Sequence, residues 1–549
     1  MDNKVDSTAM DRRTFIDFLG KGSVAIAFLP PFLNACAPES KDKSLHPAKT
    51  IKTLELEGIL PTASDELELI SGLTSRVLIS WGDAISSVDT FGFNNDFVQF
   101  VPLHENKDEA LLWVNHEYVN PMFVSGFYGD MEKTQEHVNQ ERYAVGGSIL
   151  HIKKDQDGNW HFQPESSLNK RVTGTTEIPF NWHTEIKGSS IAIGTLANCS
   201  GGYTPWGTVL SCEENYDGAY GETIYVDGEA THSPSYYGWE NFYAEPPEHY
   251  GWVVEIDPLT GRAQKHIALG RCAHECAYVQ QLPDERVVVY TGDDAAGEHL
   301  YKFISSQPNS LKEGVLYVAQ LETGTWIPID YENQPVLQEH FENQTEVLIR
   351  LREAAKLLGG TPLNRPEDIE VDPVTGNVLV ALTNNASKAD FMGQILKVVE
   401  ANNQHDSLSF TSETYLAGGL ETNFACPDNM AFDNAGNLWI TSDISGSAMN
   451  DGVYAPFKNN GLFLVPRNGE HAGKPIQIAS APFDAELTGP CFSPDGKTLF
   501  LSVQHPGDQS TSPDDLSSHW PEGGNSVPKP SVVCITGPSL EAITSGNLA

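Results

Sequence analysis

Short runs of apolar residues, separated by turn residues, dominate the chain from Ile70 onward. The runs are rich in Val, Ile, Leu and aromatic residues, and Gly, Pro, Asn or Asp stands between them. This pattern predicts β-strands rather than helices. Long amphipathic helices are few, and the best candidate covers residues 344–358, where apolar residues recur at helical spacing up to Gly359. The pattern therefore predicts an all-β fold.

One unit of this pattern returns several times along the chain. Each copy has a polar or acidic entry, an apolar strand, a turn with Asp and usually Gly, a second apolar strand and a polar exit. The copies cover residues 274–294, 366–385, 427–443 and 489–505. Repeated strand pairs of this type predict a β-propeller, whose blades direct the starts of their inner strands toward a central channel. A large β-sandwich is the alternative on pattern alone.

Residues 194–215 follow the same pattern, with a cysteine where the other copies have a carboxylate. Cys199 occupies the entry position that Glu275, Glu367 and Asp428 hold elsewhere. The exit positions hold Glu213, Glu214, Asp293, Asp294 and Asp443. If the copies are blades, one thiol and several carboxylates converge at one end of a channel. This arrangement predicts a metal site.

The residue types at these positions indicate which ions such a site would bind. Converging carboxylates repel one another unless cations lie among them. Oxygen-rich sites favour Ca²⁺, whereas a thiolate points to a transition metal such as iron. His116 and His274 could add nitrogen ligands or could be hydrogen-bonded core histidines. Arg365 fits a phosphate group in its geometry, or it forms a salt bridge with Asp368 or Glu370.

The charge balance limits the classes of partner. The sequence has 34 Lys and Arg against 74 Asp and Glu, which gives a net charge of −40. Nucleic acids and anionic membranes require basic surfaces, so neither is expected as a partner. An acidic chain of this kind suits a protein that holds hard cations.

The N-terminal segment predicts export. Residues 1–35 contain the pair Arg12-Arg13 followed by an apolar stretch, a pattern typical of a Tat signal. The apolar stretch is too short for a comfortable transmembrane helix. Cys36 ends a sequence that resembles a lipobox and is a candidate for lipidation. We therefore expect a periplasmic or extracellular protein, or a lipoprotein anchored in the outer membrane.

The remaining chain is expected to form one domain. Residues 37–60 are polar and predict a tether, and residues 61–549 predict a single propeller domain. Insertions between strands are predicted near residues 119–145, 217–250 and 335–360. Their expected role is to cover sheet edges or one end of the site.

Several longer motifs resemble the PhoX family of secreted bacterial alkaline phosphatases. The motifs cover most of residues 70–540 in order, and they read NHEY, NCSGGYTPWGTVLSCEEN, GRCAHECAYV, YTGDD, HLYKF, NRPEDIEVDP, CPDNMAFD and TGPCFSPDGKTLFLSVQHPG. The resemblance implies a six-bladed β-propeller with additional covering segments that contain short helices. It also implies a cluster of Fe(III) and Ca²⁺ ions and the hydrolysis of phosphomonoesters by metal-assisted phosphoryl transfer.

The resemblance also implies roles for individual residues. Arg365 would bind the phosphate group, His274 would assist, and Asn115 would contact phosphate or metal. Cys199 would be the thiolate ligand of iron. The implied carboxylate ligands are Glu213, Glu214, Glu275, Asp294, Glu367, Asp428 and Glu486. One or both of Glu213 and Glu214 would bind.

Two alternatives remain at this stage. The first is another hydrolase on the same scaffold, acting on other phosphoesters or on lactones. The second is a calcium-binding propeller without catalysis, in which Cys199 and Arg365 would have no purpose. The expected partners are phosphomonoester small molecules and no nucleic acid. Membrane contact is expected only through a lipid on Cys36, and the chain is expected to be a monomer.

Overall fold

The computed structural model describes residues 54–103, 107–226 and 229–548. The predicted export signal over residues 1–35, the lipidation candidate Cys36 and tether residues 37–53 lie outside the described residues.

The last residues of the predicted tether pack against the domain. The backbone N–H of Leu54 donates to the carbonyl oxygen of Asn547 at 2.9 Å, and that of Ile59 donates to Gln477 at 3.0 Å. Leu54 and Ile59 also contact the apolar core between two of the blades. Residues 54–60 of the predicted tether therefore lie against the propeller.

Within the described residues, the strands form six sheets of a propeller and two small hairpins. Two strands come before the first blade: β1 (Glu68–Leu69) and β2 (Thr74–Ser80). The first blade contains β3 (Asn95–Pro102), β4 (Glu109–His116), β5 (Gly146–Lys154), β6 (Trp160–Phe162) and β7 (Lys170–Val172). A hairpin of β8 (Glu177–Pro179) and β9 (Ile191–Ile193) follows. The second blade contains β10 (Asn198–Tyr203), β11 (Val209–Glu213), β14 (Val253–Ile256) and β15 (Ala263–His266), and a hairpin of β12 (Glu222–Val226) and β13 (Glu229–Ser233) lies within its sequence.

The other four blades follow in chain order. The third contains β16 (Tyr278–Gln281), β17 (Val287–Gly292), β18 (Leu300–Ser305), β19 (Gly314–Gln320) and β20 (Thr325–Pro328). The fourth contains β21 (Pro366–Val371), β22 (Val378–Leu382), β23 (Gln394–Glu400) and β24 (Phe410–Ala417). The fifth contains β25 (Pro427–Phe432), β26 (Leu438–Ser442), β27 (Gly461–Val465) and β28 (Ile476–Ser480). The sixth contains β29 (Glu486–Phe492), β30 (Thr498–Gln504) and β31 (Ser531–Thr536).

The helices of the described chain are short. They are α1 (Pro121–Val124), α2 (Gln135–Ala144), α3 (Asp217–Tyr220), α4 (Pro335–His340), α5 (Gln344–Ile349), α6 (Leu351–Leu357) and α7 (Pro538–Thr544). Single turns of 3-10 helix cover Trp239–Asn241, Pro247–His249, Ile267–Leu269, Ala386–Lys388, Ala401–Asn403 and Gly452–Tyr454. None of the helices in this part of the chain is long and apolar enough to cross a membrane.

The predicted helix over residues 344–358 is broken into α5 and α6. Arg350, between them, has φ −103° and ψ 44°, which are not helical values. Its side chain pairs with Glu346 at 2.7 Å and with Glu353. The apolar faces of both helices still pack into one core beside the second and third blades.

The inner strands of the six blades close a ring. Strands β3, β10, β16, β21, β25 and β29 each contact the inner strands of the neighbouring blades, and β29 contacts β3. Strand β2 pairs with β31, so the first long strand of the chain completes the last blade. Strand β1 likewise joins the fifth blade through β28. The predicted six-bladed propeller is confirmed, and the predicted repeat copies form the two innermost strands of their blades.

The second strand of each blade is apolar without alternation because it is covered on both faces. All residues of β22, VLVAL, and of β30, TLFLSVQ, are buried. Neighbouring blades pack on either side, so side chains of both orientations leave water. This packing explains why the sequence shows continuous apolar runs where a half-exposed sheet would alternate.

Replacing Ile79 with Ala should test how far the closing strand stabilises the ring. Ile79 lies in β2, is 1% exposed and packs against the sixth blade. The free energy of unfolding should fall by about 2–4 kcal/mol, because the change leaves a cavity in a packed core. Val88→Ala is the matched control, because that side chain is 83% exposed, and it should change stability by less than about 0.5 kcal/mol. Equal effects of the two changes in urea unfolding would contradict the role of β2.

Candidate metal centre

Each blade presents two positions at the same end of the channel. The entry position lies at the start of the inner strand, and the exit position lies at or just after the end of the second strand. From the first blade to the sixth, the entry residues are Asp96, Cys199, Glu275, Glu367, Asp428 and Glu486. In the same order, the exit residues are Glu117, Glu214, Asp294, Thr383, Asp443 and His505. All of these except Thr383 line one pocket with a volume of about 340 Å³.

A β-bulge turns the entry side chains out of the sheets. In the first blade, Asn95 pairs with His116 and Val98 with Val114, so that Asp96 and the next residue lie opposite a single residue. The same two-against-one irregularity occurs at Cys199 in β10, at Glu367 in β21 and at Asp428 in β25. Bulges redirect side chains and end regular pairing, so the repeated bulge brings these four groups to the channel.

Before the bulge, five of the blades share an unusual backbone conformation. Two residues ahead of the entry position, φ is positive at a residue other than glycine: Asn94 (46°), Ala197 (53°), Arg365 (54°), Cys426 (51°) and Asp484 (63°). Each such conformation is strained by about 1–3 kcal/mol and is found where the surrounding structure enforces it. Its recurrence around the ring marks this end of the channel as the functional end.

A repeated hydrogen bond links the entry and exit positions of a blade. The exit N–H of Glu117 donates to the carbonyl oxygen of Asn94 at 3.0 Å, and that of Glu214 donates to Ala197 at 2.8 Å. The equivalent bonds run from Asp294 to Ala273 (2.9 Å), from Thr383 to Arg365 (3.2 Å) and from Asp443 to Cys426 (2.8 Å). In the sixth blade, Nδ1 of His505 lies 2.9 Å from the carbonyl oxygen of Asp484. The positions of the pocket groups are therefore set by the backbone.

The carboxyl groups of the pocket are strongly perturbed by their surroundings. Burial raises the pKa of five of them well above the usual value, and neighbouring carboxylates raise it further; these are Asp96, Glu214, Glu275, Glu367 and Glu486. Burial also raises the pKa of Glu117 to about 7 and that of Asp428 to about 7. Without cations, this set of groups can be buried together only by taking up protons.

Groups of ligand atoms in the pocket are close enough to share an ion. Within each of three sets the ligand atoms lie within 4.8 Å of one another: Asp96, Glu117 and Cys199; Cys199, Glu214 and Glu275; Glu275, Glu367 and Asp428. The sets form a chain, because Cys199 and Glu275 each belong to two of them. Oε2 of Glu275 and Oδ1 of Asp96 are buried and have no hydrogen-bond partner among the described residues. The donor set therefore fits several cations, with thiolate and carboxylate ligands at one end and carboxylates alone at the other.

Cys199 joins two of these three sets of ligand atoms. Its Sγ lies 3.4 Å from Oδ2 of Asp96 and 3.3 Å from Oε1 of Glu275. Burial, and then the nearby carboxylates, raise the pKa of the thiol well above its usual value. A cation bound at this point would reverse that shift, because coordination favours the thiolate.

Arg365 supplies the guanidinium group of the pocket. Its Nε and Nη2 donate to the two carboxylate oxygens of Asp294, both at 2.9 Å. Nη2 also lies 2.6 Å from Glu367, and Nη1 lies 3.3 Å from Asp443. The predicted salt bridge to Asp368 or Glu370 is wrong, because the partners are these three pocket carboxylates. The guanidinium group of Arg365 is thus fixed in orientation, and it lines the same pocket as the candidate metal ligands.

Asn115, predicted as a contact to phosphate or metal, does not line the pocket. Its amide nitrogen donates to the carbonyl oxygens of Cys199 at 2.6 Å and of Ser200 at 2.9 Å. Its amide oxygen accepts from Trp113 at 2.6 Å and from Ser211 at 2.7 Å. All these contacts are buried, so Asn115 holds the backbone of Cys199 in place.

Glu213 is also corrected by the structure, whereas its neighbour Glu214 lines the pocket. The Glu213 carboxylate is fully buried, and its Oε1 lies 2.7 Å from Nζ of Lys265. Its Oε2 accepts from the backbone of Gly251 and Trp252 at 3.0 and 3.1 Å. The carboxylate is thus neutralised and solvated by the protein, and it faces away from the ligand set.

The histidines considered in the sequence are core residues. Nδ1 of His274 lies 2.8 Å from Oγ1 of Thr291, and Nε2 lies 2.8 Å from the carbonyl oxygen of Gly270. Burial lowers the pKa of His274 to about 4, so the ring is neutral. His116 is fully buried and contacts Ser148 at 2.7 Å. Neither lines the pocket, and the predicted assistance by His274 is not supported.

The pocket contains several groups that the sequence comparison missed. They are Asp96, Glu117, Asp443, His505 and Asp508, together with Tyr118, Asn215 and Gln504. Asp443 had been placed at an exit position without being assigned to the site. Asp96 and Glu117 could have been found, since each stands at the boundary of an apolar run in the first blade. Beside them, Asn94 and Asn95 are fully buried, and their side-chain atoms have no partner among the described residues.

Comparisons with known proteins agree with this geometry. The model of the family described as alkaline phosphatase PhoX matches residues 54–507. Among solved structures, the chain is similar to Pseudomonas fluorescens PhoX in complex with vanadate, a transition state analogue. The two sequences are 29% identical, the match covers 90% of this chain and 100% of that chain, and the TM-score is 0.80. It is more distantly similar to a protein of unknown function from Dyadobacter fermentans, with 10% identity and a TM-score of 0.40. That match covers 85% of this chain and 100% of the other chain. A comparison with curated proteins finds no match.

In protein stripped of cations, stability should fall as the pH rises. Glu117 and Asp428 have pKa values of about 7 in the folded protein, whereas carboxyl groups of an unfolded chain titrate near pH ~4. Between these values the folded state binds more protons than the unfolded state, so the free energy of unfolding decreases with rising pH, and the contribution of these two groups levels off above about pH 7. Thermal unfolding of chelator-treated protein between about pH 5 and pH 8 measures the slope.

Calcium provides the control for this prediction. Added Ca²⁺ should remove most of the slope, because bound cations favour the charged carboxylates. A midpoint that rises with pH in the chelated protein would show that these groups are not buried together as described.

Proposed function

The chain belongs to the alkaline phosphatase PhoX family, and on that premise we propose that its ring of carboxylates and Cys199 holds Fe(III) and Ca²⁺ ions for the hydrolysis of phosphomonoesters. Family membership establishes a metalloenzyme that hydrolyses phosphoesters by metal-assisted phosphoryl transfer. The observation that carries the proposal is one pocket in which a thiol, a ring of buried carboxylates and a fixed arginine converge. A calcium-binding propeller without catalysis, the earlier alternative, is set aside.

The ligand chemistry supports a division of the pocket between the two metals. The set of Glu275, Glu367 and Asp428 offers only oxygen, which suits Ca²⁺. The two sets that include Cys199 offer a thiolate as well, which suits iron. Shared ligands between the sets would hold the ions close together. Bound there, the cations would neutralise phosphate oxygens and act as Lewis acids on the phosphoryl group.

Arg365 is the residue that would bind and orient the phosphate. Asp294 fixes one edge of its guanidinium through Nε and Nη2, while Nη1 has one long contact, to Asp443 at 3.3 Å. That nitrogen can donate to a phosphate oxygen in the pocket. Charge-assisted bonds from a preorganised arginine strengthen as negative charge redistributes in the transition state. The polar groups at the edge of the pocket, such as Tyr118 and Asn215, would then contact the leaving group.

Export and anchoring are proposed from the N-terminal sequence alone. The pair Arg12-Arg13 supports Tat export, the route for proteins that fold before they cross the membrane. The lipobox-like sequence that ends at Cys36 supports lipidation and an outer-membrane location, and cleavage elsewhere would give a periplasmic or extracellular enzyme. We also propose that the enzyme acts as a monomer and takes small phosphomonoesters as substrates.

Turnover and metal content together test the proposal. Purified protein should hydrolyse a chromogenic phosphomonoester, should contain both iron and calcium by elemental analysis, and should lose activity on chelation. Orthovanadate should inhibit it, since its relative binds vanadate as a transition state analogue. A metal-loaded protein that turns over a diester or a lactone but not a monoester would contradict the proposed substrate class.

Replacing Cys199 with Ser should remove the ligand that selects iron. The variant should contain less than about a tenth of the wild-type iron, because ligands and metal stabilise each other as one unit. Cys491→Ser is the matched control, since that thiol lies away from the pocket and contacts the backbone N–H of Phe100. Normal iron content in the Cys199 variant would remove the role assigned to the thiolate.

Replacing Arg365 with Lys should lower kcat/KM by about 100- to 1,000-fold, equivalent to about 3–4 kcal/mol of transition-state stabilisation. Lysine keeps the charge but cannot reproduce the fixed fork. Arg467→Lys is the control, because Arg467 also pairs with a carboxylate, Asp372, but does not line the pocket. Steady-state kinetics on both variants give the comparison, and a loss of similar size in both would count against the phosphate-binding role.

A further inference from the structure

Two arginine–carboxylate pairs stand back to back at the exit of the third blade. Asp294 is held by Arg365 inside the pocket. The preceding residue, Asp293, is held by Arg352, whose Nε lies 2.8 Å from Oδ2 and whose Nη2 lies 2.5 Å from Oδ1. The carboxylates of Asp293 and Asp294 thus point in different directions, and each accepts two hydrogen bonds from one arginine. Arg352 itself does not line the pocket.

The third blade differs from the others at this point. It has no left-handed residue two positions before Glu275, unlike the other five blades. Instead, Oδ1 of Asp293 accepts the backbone N–H of Ala273 at 3.1 Å, and the N–H of Asp294 donates to the carbonyl oxygen of the same residue at 2.9 Å. The Asp293 side chain therefore fixes the backbone segment that leads to Glu275 and to Asp294.

Asp293 in turn depends on Arg352. Its side chain has no exposed surface, whereas that of Arg352 is 36% exposed. A buried carboxylate without its partner is strongly unfavourable, so the contact with Arg352 stabilises the Asp293 side chain at this position. Arg352 belongs to α6, in the helical insertion between the third and fourth blades. The insertion is thereby connected to the pocket through one side chain.

We propose that Arg352 is a positioning residue for phosphate binding, acting through Asp293 and Asp294 on Arg365. Helix α6 then takes part in phosphate binding through the Arg352 side chain alone, and it does more than cover a sheet edge. The inference rests on the proposed role of Arg365 in binding phosphate. It assigns to Arg352 no contact with substrate.

The test compares Arg352→Lys with Arg350→Lys in the full-length, metal-loaded enzyme. Lysine at position 352 keeps a positive charge near Asp293 but cannot form both hydrogen bonds of the bidentate contact. Arg350 is the matched control, because it lies next to the same helix and pairs only with Glu346 and Glu353 among the described carboxylates. The measurements are kcat, KM and the inhibition constant of inorganic phosphate, with thermal unfolding recorded in parallel.

Arg352→Lys should lower kcat/KM about tenfold and weaken inhibition by phosphate by a similar factor, because small misplacements of a positioned group have large effects on rate. Arg350→Lys should leave both unchanged within about twofold. If the position-352 variant does not fold, Asp293→Asn serves in its place, since the amide still accepts from Ala273 but no longer pairs as an anion. No difference from the control in either variant would overturn the inference.

A double-mutant cycle separates positioning from general stabilisation. In an Arg365→Lys background, Arg352→Lys should have little further effect on phosphate inhibition, because the group that it positions is gone. A full additional loss in that background would overturn the proposal and leave Arg352 as an anchor of the helix. If Arg365→Lys alone left phosphate inhibition unchanged, the proposed role of Arg365 would fail, and the inference with it.

Discussion

Mutual repulsion among buried carboxylates is the constraint on which this structure depends. At one end of the channel, acidic groups from all six blades are removed from water and placed close to one another, and Arg365 contributes a guanidinium group among them. Such an arrangement is unfavourable in the absence of cations, which explains the raised pKa values. The fold must therefore hold the groups in place by other means until ions bind.

The backbone provides those means. A left-handed residue, a bulge and a hydrogen bond between entry and exit recur in most blades, so that each pair of pocket groups is built on the same local framework. The strain of the left-handed residues is opposed by the packed second strands, which are buried on both faces. Packing of the blades thus holds the pocket side chains in fixed positions, as a preorganised site requires. Fixed ligands bind cations without a large reorganisation of the chain.

The fold and the centre of the site could be predicted from the sequence because both follow from periodicity. The repeated strand pairs predicted the propeller. Their entry positions placed Cys199, Glu275, Glu367 and Asp428 together at one end of the channel. Asp96 and Glu117 escaped the comparison although they lie at the ends of a continuous strand pair, β3 and β4, whose connecting residues 103–108 contain no glycine. Other errors arise from orientation: Glu213 and Glu214 are neighbours with opposite side-chain directions, and Lys265, which selects between them, lies far along the chain. Asn115 and His274 likewise stand close in sequence to pocket residues, but their side chains point into the protein core.

The closure of the ring has a consequence for how the centre comes into existence. Strand β2, from the start of the described chain, completes the blade that contains β31, and that same blade supplies Glu486 and His505. The pocket is lined by residues from Asp96 in the first blade to Asp508 after the last strand pair, so its wall is complete only when the ring has closed between the first and sixth blades. A chain that ends before the sixth blade lacks Glu486 and His505, and with them one side of this wall.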